Sequence, residues 1–271
     1  LKQLYQSIKA RAIVMSRILY DDSWLSAGCP GQPPTGTTTD NSVGTYSTNY
    51  VILVVGLFLC GFTFSSKEAG WQKGLLIAFF AFTGLGFGLA GLMHQYFYED
   101  ESVIGRVSYS LVTLGMGSLQ ALSTCLICQL CPKANKGTWI GVVLFIYGLI
   151  VVVVAILKSA IIVLAAKILA LLTALIVWVV RACKRLPGQG WLKAGASVLM
   201  LGSIGVQLGL RNVCGDNGYP DCFKTCPLPA PQFNHNALYH IIWAVGFALL
   251  GVAVRIEPDA SEHLEAKPER V

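Results

Sequence analysis

The sequence predicts an all-α fold: a polytopic bundle of seven transmembrane helices with the N-terminus outside or lumenal and the C-terminus cytoplasmic. Three observations carry this. Charged residues are 13% of the 271 and hydrophobic residues 54%, against a charged share of roughly 25% in soluble domains. Mean hydropathy is +0.61. The apolar residues gather into runs near the ~20 that a helix needs to cross the hydrocarbon, and the breaks between them hold most of the Lys, Arg and Pro. The net charge of +6 therefore sets topology, and no nucleic-acid partner is expected. The chain divides into an N-terminal segment, 1–46, a bundle, 47–255, and a cytoplasmic tail, 256–271.

Residues 1–20 place Leu4, Ile8, Ile13 and Leu19 among Lys2, Lys9, Arg11 and Arg17 at loosely helical spacing. This reads as an interfacial amphipathic helix, or as a short solvated helix packed on the bundle. Residues 21–49 are rich in Gly, Pro, Ser, Thr and Asp and read as a loop. The spans follow at 47–64, 74–97, 102–127, 138–157, 160–180, 191–210 and 236–254. The apolar run from Thr138 to Val180 is interrupted only by Lys158, Ser159 and Lys167. At ~1.5 Å per residue one helix of that length would be about twice the ~30 Å hydrocarbon thickness, so the chain must fold back near Lys158.

Orientation follows from two independent sets of residues. With the N-terminus outside, Lys67, Lys73, Lys133, Lys136, Arg181, Lys184, Arg185, Lys193 and Arg255 lie on the cytoplasmic side near span ends. Only Arg106, Lys158, Arg211 and Lys224 lie near span ends on the other side. The same topology puts Cys29, Cys214, Cys222 and Cys226 on the oxidising face, in two Gly/Pro-rich regions, where two disulfides are expected. Four cysteines allow three connectivities, and the sequence does not choose among them. A multi-pass protein of the secretory pathway or plasma membrane is the corresponding localisation. On the opposite face, Cys125, Cys128 and Cys131 form a C-x2-C-x2-C run with no fourth ligand at cluster spacing, which points to S-acylation or packing.

Inside the spans, Gly84, Gly86, Gly88 and Gly91, and the pair Gly205 and Gly209, read as small-residue surfaces for close helix packing. They also offer a route to homo- or hetero-oligomers, alongside the membrane lipids that any such bundle contacts. Lys167 lies about a third of the way into the fifth span, where snorkelling to the interface is the expectation and a functional lysine the alternative. The last span holds no lysine for a retinal imine.

The best site signal is a convergence of histidines. The second span delivers His94 to the outer end, and the seventh begins there with His235, Asn236 and His240. Ionisable side chains in spans are rare and usually face the bundle interior. Glu99, Asp100 and Glu101 stand just beyond His94. On a helix Asn236 and His240 share a face, whereas His235 and His240 are about 140° apart. His235 can still turn inward if it precedes the first helical turn, with Asn234 or Asn236 as the cap. A zinc held by His94, His235 and His240 with a carboxylate or water is one reading; histidines that only hydrogen-bond within the bundle are the other.

Seven spans, a histidine closing the second and N-A-L-Y-H-I-I opening the last resemble the alkaline ceramidase and progestin/adiponectin receptor (CREST) superfamily. The resemblance implies a seven-helix bundle, a lumenal N-terminus in its ceramidase branch, and a zinc bound by one histidine of the second span and two of the seventh. That zinc would activate water for hydrolysis of a lipid amide. His94 and His240 match the pattern; Asn236 stands where the first histidine of the last-span motif is expected, and Ala90 where a serine is. An acid among Glu99, Asp100 and Glu101 would act as base or orient the water. Two functions therefore compete: a zinc-dependent hydrolase of a membrane lipid, and a non-catalytic receptor, scaffold or assembly subunit in which the polar cluster fixes helix packing.

Overall fold

A computed structural model describes residues 43–66, 70–97, 102–130, 135–157, 159–186, 189–214, 228 and 233–256, with 211–214 described by their backbone. These residues are helical almost throughout, in seven helices long and apolar enough to cross a membrane. They are α1 (Val43–Phe64), α2 (Gly70–Leu92, continued by a π-helical turn, Met93–Phe97), α3 (Val103–Leu130), α4 (Lys136–Leu157), α5 (Ala160–Cys183), α6 (Gly190–Cys214) and α7 (His235–Arg255). The two long apolar runs in the middle of the chain separate where a single helix would have overrun the bilayer. α4 ends at Leu157, and Ser159 caps α5 by accepting a hydrogen bond from the Ile162 amide.

Six helices close a ring in the order α1, α2, α3, α5, α6, α7, with α7 returning to α1. α4 stands outside it, packed on α3 and scarcely touching α5. It has the highest mean hydropathy of the seven, 3.2, with only 17% of its apolar stretch buried, against 72% for α3. α4 is thus apolar on every side because lipid surrounds most of it. Its inward face reduces to Ile140, Tyr147 and Val154, and Tyr147 donates a hydrogen bond to the Ala166 carbonyl of α5.

The glycines of α2 set the closeness of the ring. A Cβ on Gly56 of α1 would lie 2.9 Å from Gly84 Cα and from the Phe80 carbonyl oxygen, so the α1 and α2 backbones meet there. Gly86 receives α3 on its other side, where Ser108 donates to the Gly86 carbonyl at 2.8 Å. Gly88 and Gly91 accommodate Leu53 and Tyr50 of α1. Below this crossing Phe247 meets Phe79 and Phe80 edge to face, with centroids 5.2 and 5.0 Å apart, while Phe79 and Phe80 are tilted against each other. Gly205 and Gly209 do not pack as their spacing suggests: a Cβ on either would meet no atom within 4 Å, and both face outward. Spacing identifies a small-residue face but does not say which side of the helix the ring takes up.

α1 begins at Val43, earlier than hydropathy places it, because its first turns are polar. Thr45, Thr48 and Asn49 are buried there, the first two bonded to Asn234 and His240 of the α7 end and Asn49 beside Gly91 of α2. The N-terminal amphipathic segment, Glu99 to Glu101, Cys29, Cys131, Cys222, Cys226 and the tail after Ile256 lie outside the described residues, as does the side chain of Cys214. Cys60, Cys125, Cys128 and Cys183 are free thiols, with Cys125 and Cys128 buried in packing.

Candidate functional site

A cavity of about 270 Å³ opens inside the ring at the end where α1, α3, α5 and α7 begin and α2 and α6 end. All six ring helices line it. Its walls include Phe87 of α2, Met93 of the π-helical turn that continues it, Val112 of α3, Leu164 of α5 and Ile204 of α6, and its polar groups include Asn49, His94, Lys167, Gln207, His235, Asn236, Tyr239 and His240. The three histidines expected to converge therefore share one cavity.

Local chain chemistry fixes each of them. His94 sits on the π-helical turn that follows α2, a geometry common at functional positions because it rotates the following side chains off the helical register. His235 is the first residue of α7, capped by Asn234, whose Oδ1 accepts from the amides of Asn236 and Ala237. Thr45 of α1 donates to the same Oδ1 at 3.2 Å, so one buried asparagine both caps α7 and ties it to α1. One turn further along α1, Thr48 Oγ1 lies 3.1 Å from His240 Nδ1 in a hydrogen bond. The His240 ring meets Phe87 edge-on, with centroids 5.6 Å apart. Asn236, where the resemblance asks for a histidine, accepts from Gln207 Nε2 of α6 at 2.7 Å. Among the described residues no group of three His, Cys, Asp or Glu is gathered closely enough to hold a metal ion. The Thr48 contact at Nδ1 fixes the orientation of the His240 ring, as the second nitrogen of a metal-binding histidine is ordinarily fixed, whereas Asn236 is engaged with α6.

Lys167 departs from the snorkelling expectation. Its Nζ is turned into the ring, 3.1 Å from Tyr239 Oη, and stands 5.1, 5.6 and 5.5 Å from the ring centroids of Phe87, Tyr239 and Trp243. Three aromatic rings around an ammonium form a cation-π box. Sequence hydropathy could not reveal it, because Phe87, Tyr239 and Trp243 read as ordinary span residues. The available signal was that Tyr239 and Trp243 share a face of α7, one turn apart.

The described helices contain no aspartate or glutamate. Among the described residues Lys167 therefore has no carboxylate partner and is the only lysine or arginine lining the cavity. Asn49, fully buried, donates its Nδ2 to the Thr45 carbonyl and leaves Oδ1 without a protein partner in the cavity wall.

Residues 45–214 match a family of unknown function, DUF6962. The chain belongs to this family. Comparison with curated proteins and with solved structures returns no match. The DUF6962 region runs from the polar start of α1 through α6, so it carries Asn49, His94 and Lys167, while α7 with its two histidines and Tyr239 lies beyond the matched residues.

Proposed function

We propose that the protein is a multi-pass membrane receptor or binding protein whose ring cavity takes a small polar or amphiphilic ligand. The observation that carries this reading is Lys167, an ammonium boxed by three aromatic rings, facing a cavity and unmatched by any described carboxylate. An intramembrane charge of this kind marks a functional site by default, since the helix would otherwise bear its cost to no purpose. The unpaired Asn49 Oδ1 supports the same reading, because buried acceptors are almost always satisfied by something. The basic residues Lys73, Lys136, Arg181, Lys184, Arg185, Lys193 and Arg255 gather at the opposite end of the bundle. By the positive-inside rule that end is cytoplasmic and the cavity opens to the outer leaflet, with the N-terminus outside.

Native mass spectrometry of the full chain, gently purified, tests the reading. The wild type carries a bound small molecule or gains thermal stability from a lipid extract, and Ala90→Phe, which fills the cavity wall, loses both. A wild type that stays empty and unshifted with every extract fraction would sink it.

A zinc-dependent hydrolase of a membrane lipid is the second reading, favoured by the sharing of one cavity among His94, His235 and His240. It requires a further ligand or base from Glu99, Asp100 or Glu101. Elemental analysis decides it: stoichiometric zinc that disappears in a His94→Ala, His240→Ala variant supports the hydrolase, and its absence leaves the binding role. The two expected disulfides, from Cys29, Cys214, Cys222 and Cys226, would secure the outer segments over the cavity. The outward glycines of α6 are the face through which an oligomer would form.

A further inference from the structure

The described residues close the cavity only in part. Of the residues that line it, those exposed at the outer surface of the bundle are Ala160 and Ile161 of α5 and Leu208 of α6; Ile161 is 78% exposed and Leu208 46%. The other lining residues are buried or half-buried. α5 and α6 are closely joined at the opposite end, where a Cβ on Gly190 would lie 2.8 Å from the Trp178 carbonyl and 2.9 Å from Ala182. At the cavity end their apolar side chains face lipid and cavity at once. A side opening at this place would present a rim of alanine, isoleucine and leucine, which matches acyl chains rather than water.

Lys167 lies seven residues beyond Ala160, about 10 Å along α5 from that rim. An ammonium has three N–H donors, and Tyr239 accepts one of them among the described residues. The aromatic rings stabilise the cation without neutralising it. At about 270 Å³ the cavity is below the ~300 Å³ at which drug-sized sites begin. A head group and a few methylenes fit; a long chain must continue out through the rim. Among the described residues a single cation lines the cavity, with no arginine beside it, which suits a monoanion, because phosphate sites ordinarily recruit several charged or forked donors.

We infer that Lys167 anchors the carboxylate of a single-chain anionic amphiphile, which enters sideways from the bilayer between α5 and α6 and leaves its tail in the side opening. The inference rests on the ligand-binding reading above and narrows it to a head group, an anchor and a route.

Equilibrium binding of radiolabelled dodecanoate to the purified full chain in neutral detergent micelles tests it, with unlabelled dodecanol and dodecyl phosphate as competitors. Dodecanoate binds saturably, and both competitors are weaker by roughly tenfold or more, as expected when a charge-assisted contact is lost or mismatched. Lys167→Met weakens dodecanoate binding to a similar degree, Lys167→Arg retains most of it, and Leu208→Trp, at the rim and away from the lysine, slows entry and lowers binding. If Lys167→Met does not elute as a folded species, the competitor series on wild type and Leu208→Trp decide the matter. Dodecanol competing as well as dodecanoate, or full binding by a folded Lys167→Met, overturns the anchor but leaves a ligand-binding cavity in place. Preference for dodecyl phosphate overturns the carboxylate. Absence of saturable binding by all three overturns the inference, while an Ala90-sensitive shift with lipid extract would still uphold the broader reading.

Discussion

Single residues at the cavity end hold helices together as well as presenting polar groups. Asn234 satisfies two amides at the start of α7 and accepts from Thr45 of α1 with one oxygen. Asn234→Ala removes a cap and a buried interhelical bond together, so stability falls by about 1–2 kcal/mol, read as a lower midpoint of reversible unfolding in mixed micelles. A similar change at Thr48 isolates the histidine. Thr48→Val keeps the shape but leaves His240 Nδ1 without its α1 partner, at a cost of about 1–3 kcal/mol. Serine in its place restores most of that loss, and a serine variant no more stable than valine would show that methyl packing dominates.

Among the helices, the α1–α2 crossing tolerates no side chain. Gly56→Ala must push against backbone atoms of α2 on both near contacts and costs about 1–3 kcal/mol. Gly61, five residues on, has nothing within 4 Å of a Cβ, and its alanine variant stays within about 0.5 kcal/mol of wild type. Comparison of the two melting midpoints checks the crossing against a general effect of alanine on α1. α4 supplies the complementary case. It meets the ring through a narrow face centred on Tyr147, whose ring also packs over Gly117 of α3. Tyr147→Ala is expected to loosen α4, detectable as faster amide exchange in Lys136–Leu157 with α7 unchanged.

For the whole molecule, the separation of charge is the governing feature. Most of the described basic side chains collect at one end, where Arg255 donates to the Ser65 carbonyl and Arg181 to Gln129, and the described histidines and Lys167 face the cavity at the other, with Arg106 nearby in the first turn of α3. Cys183, exposed at the last residue of α5, marks the basic end. In sealed right-side-out membranes an impermeant maleimide leaves Cys183 unmodified until detergent is added, as mapped on its peptide by mass. Modification of Cys183 in intact vesicles would reverse the orientation argued from the positive-inside rule.

The sequence by itself determined the number of spans, the break near Lys158 and the common end at which His94, His235 and His240 lie, and it narrowed the cap of α7 to Asn234 or Asn236. These properties depend on length, on obligatory backbone hydrogen bonding and on position along the chain, all of which are one-dimensional quantities. Tertiary structure alone decided which faces meet: Lys167 inward instead of at the interface, Gly205 and Gly209 outward instead of packed, α4 outside the ring, and Thr45 and Thr48 buried against α7. In a membrane the lipid is as apolar as a leucine side chain, so an apolar helix gives little indication of which way it should turn. Its rotation is set by close fits such as Gly56 on Gly84 and by a few polar contacts such as Thr48 with His240, and these exist only once the ring has closed.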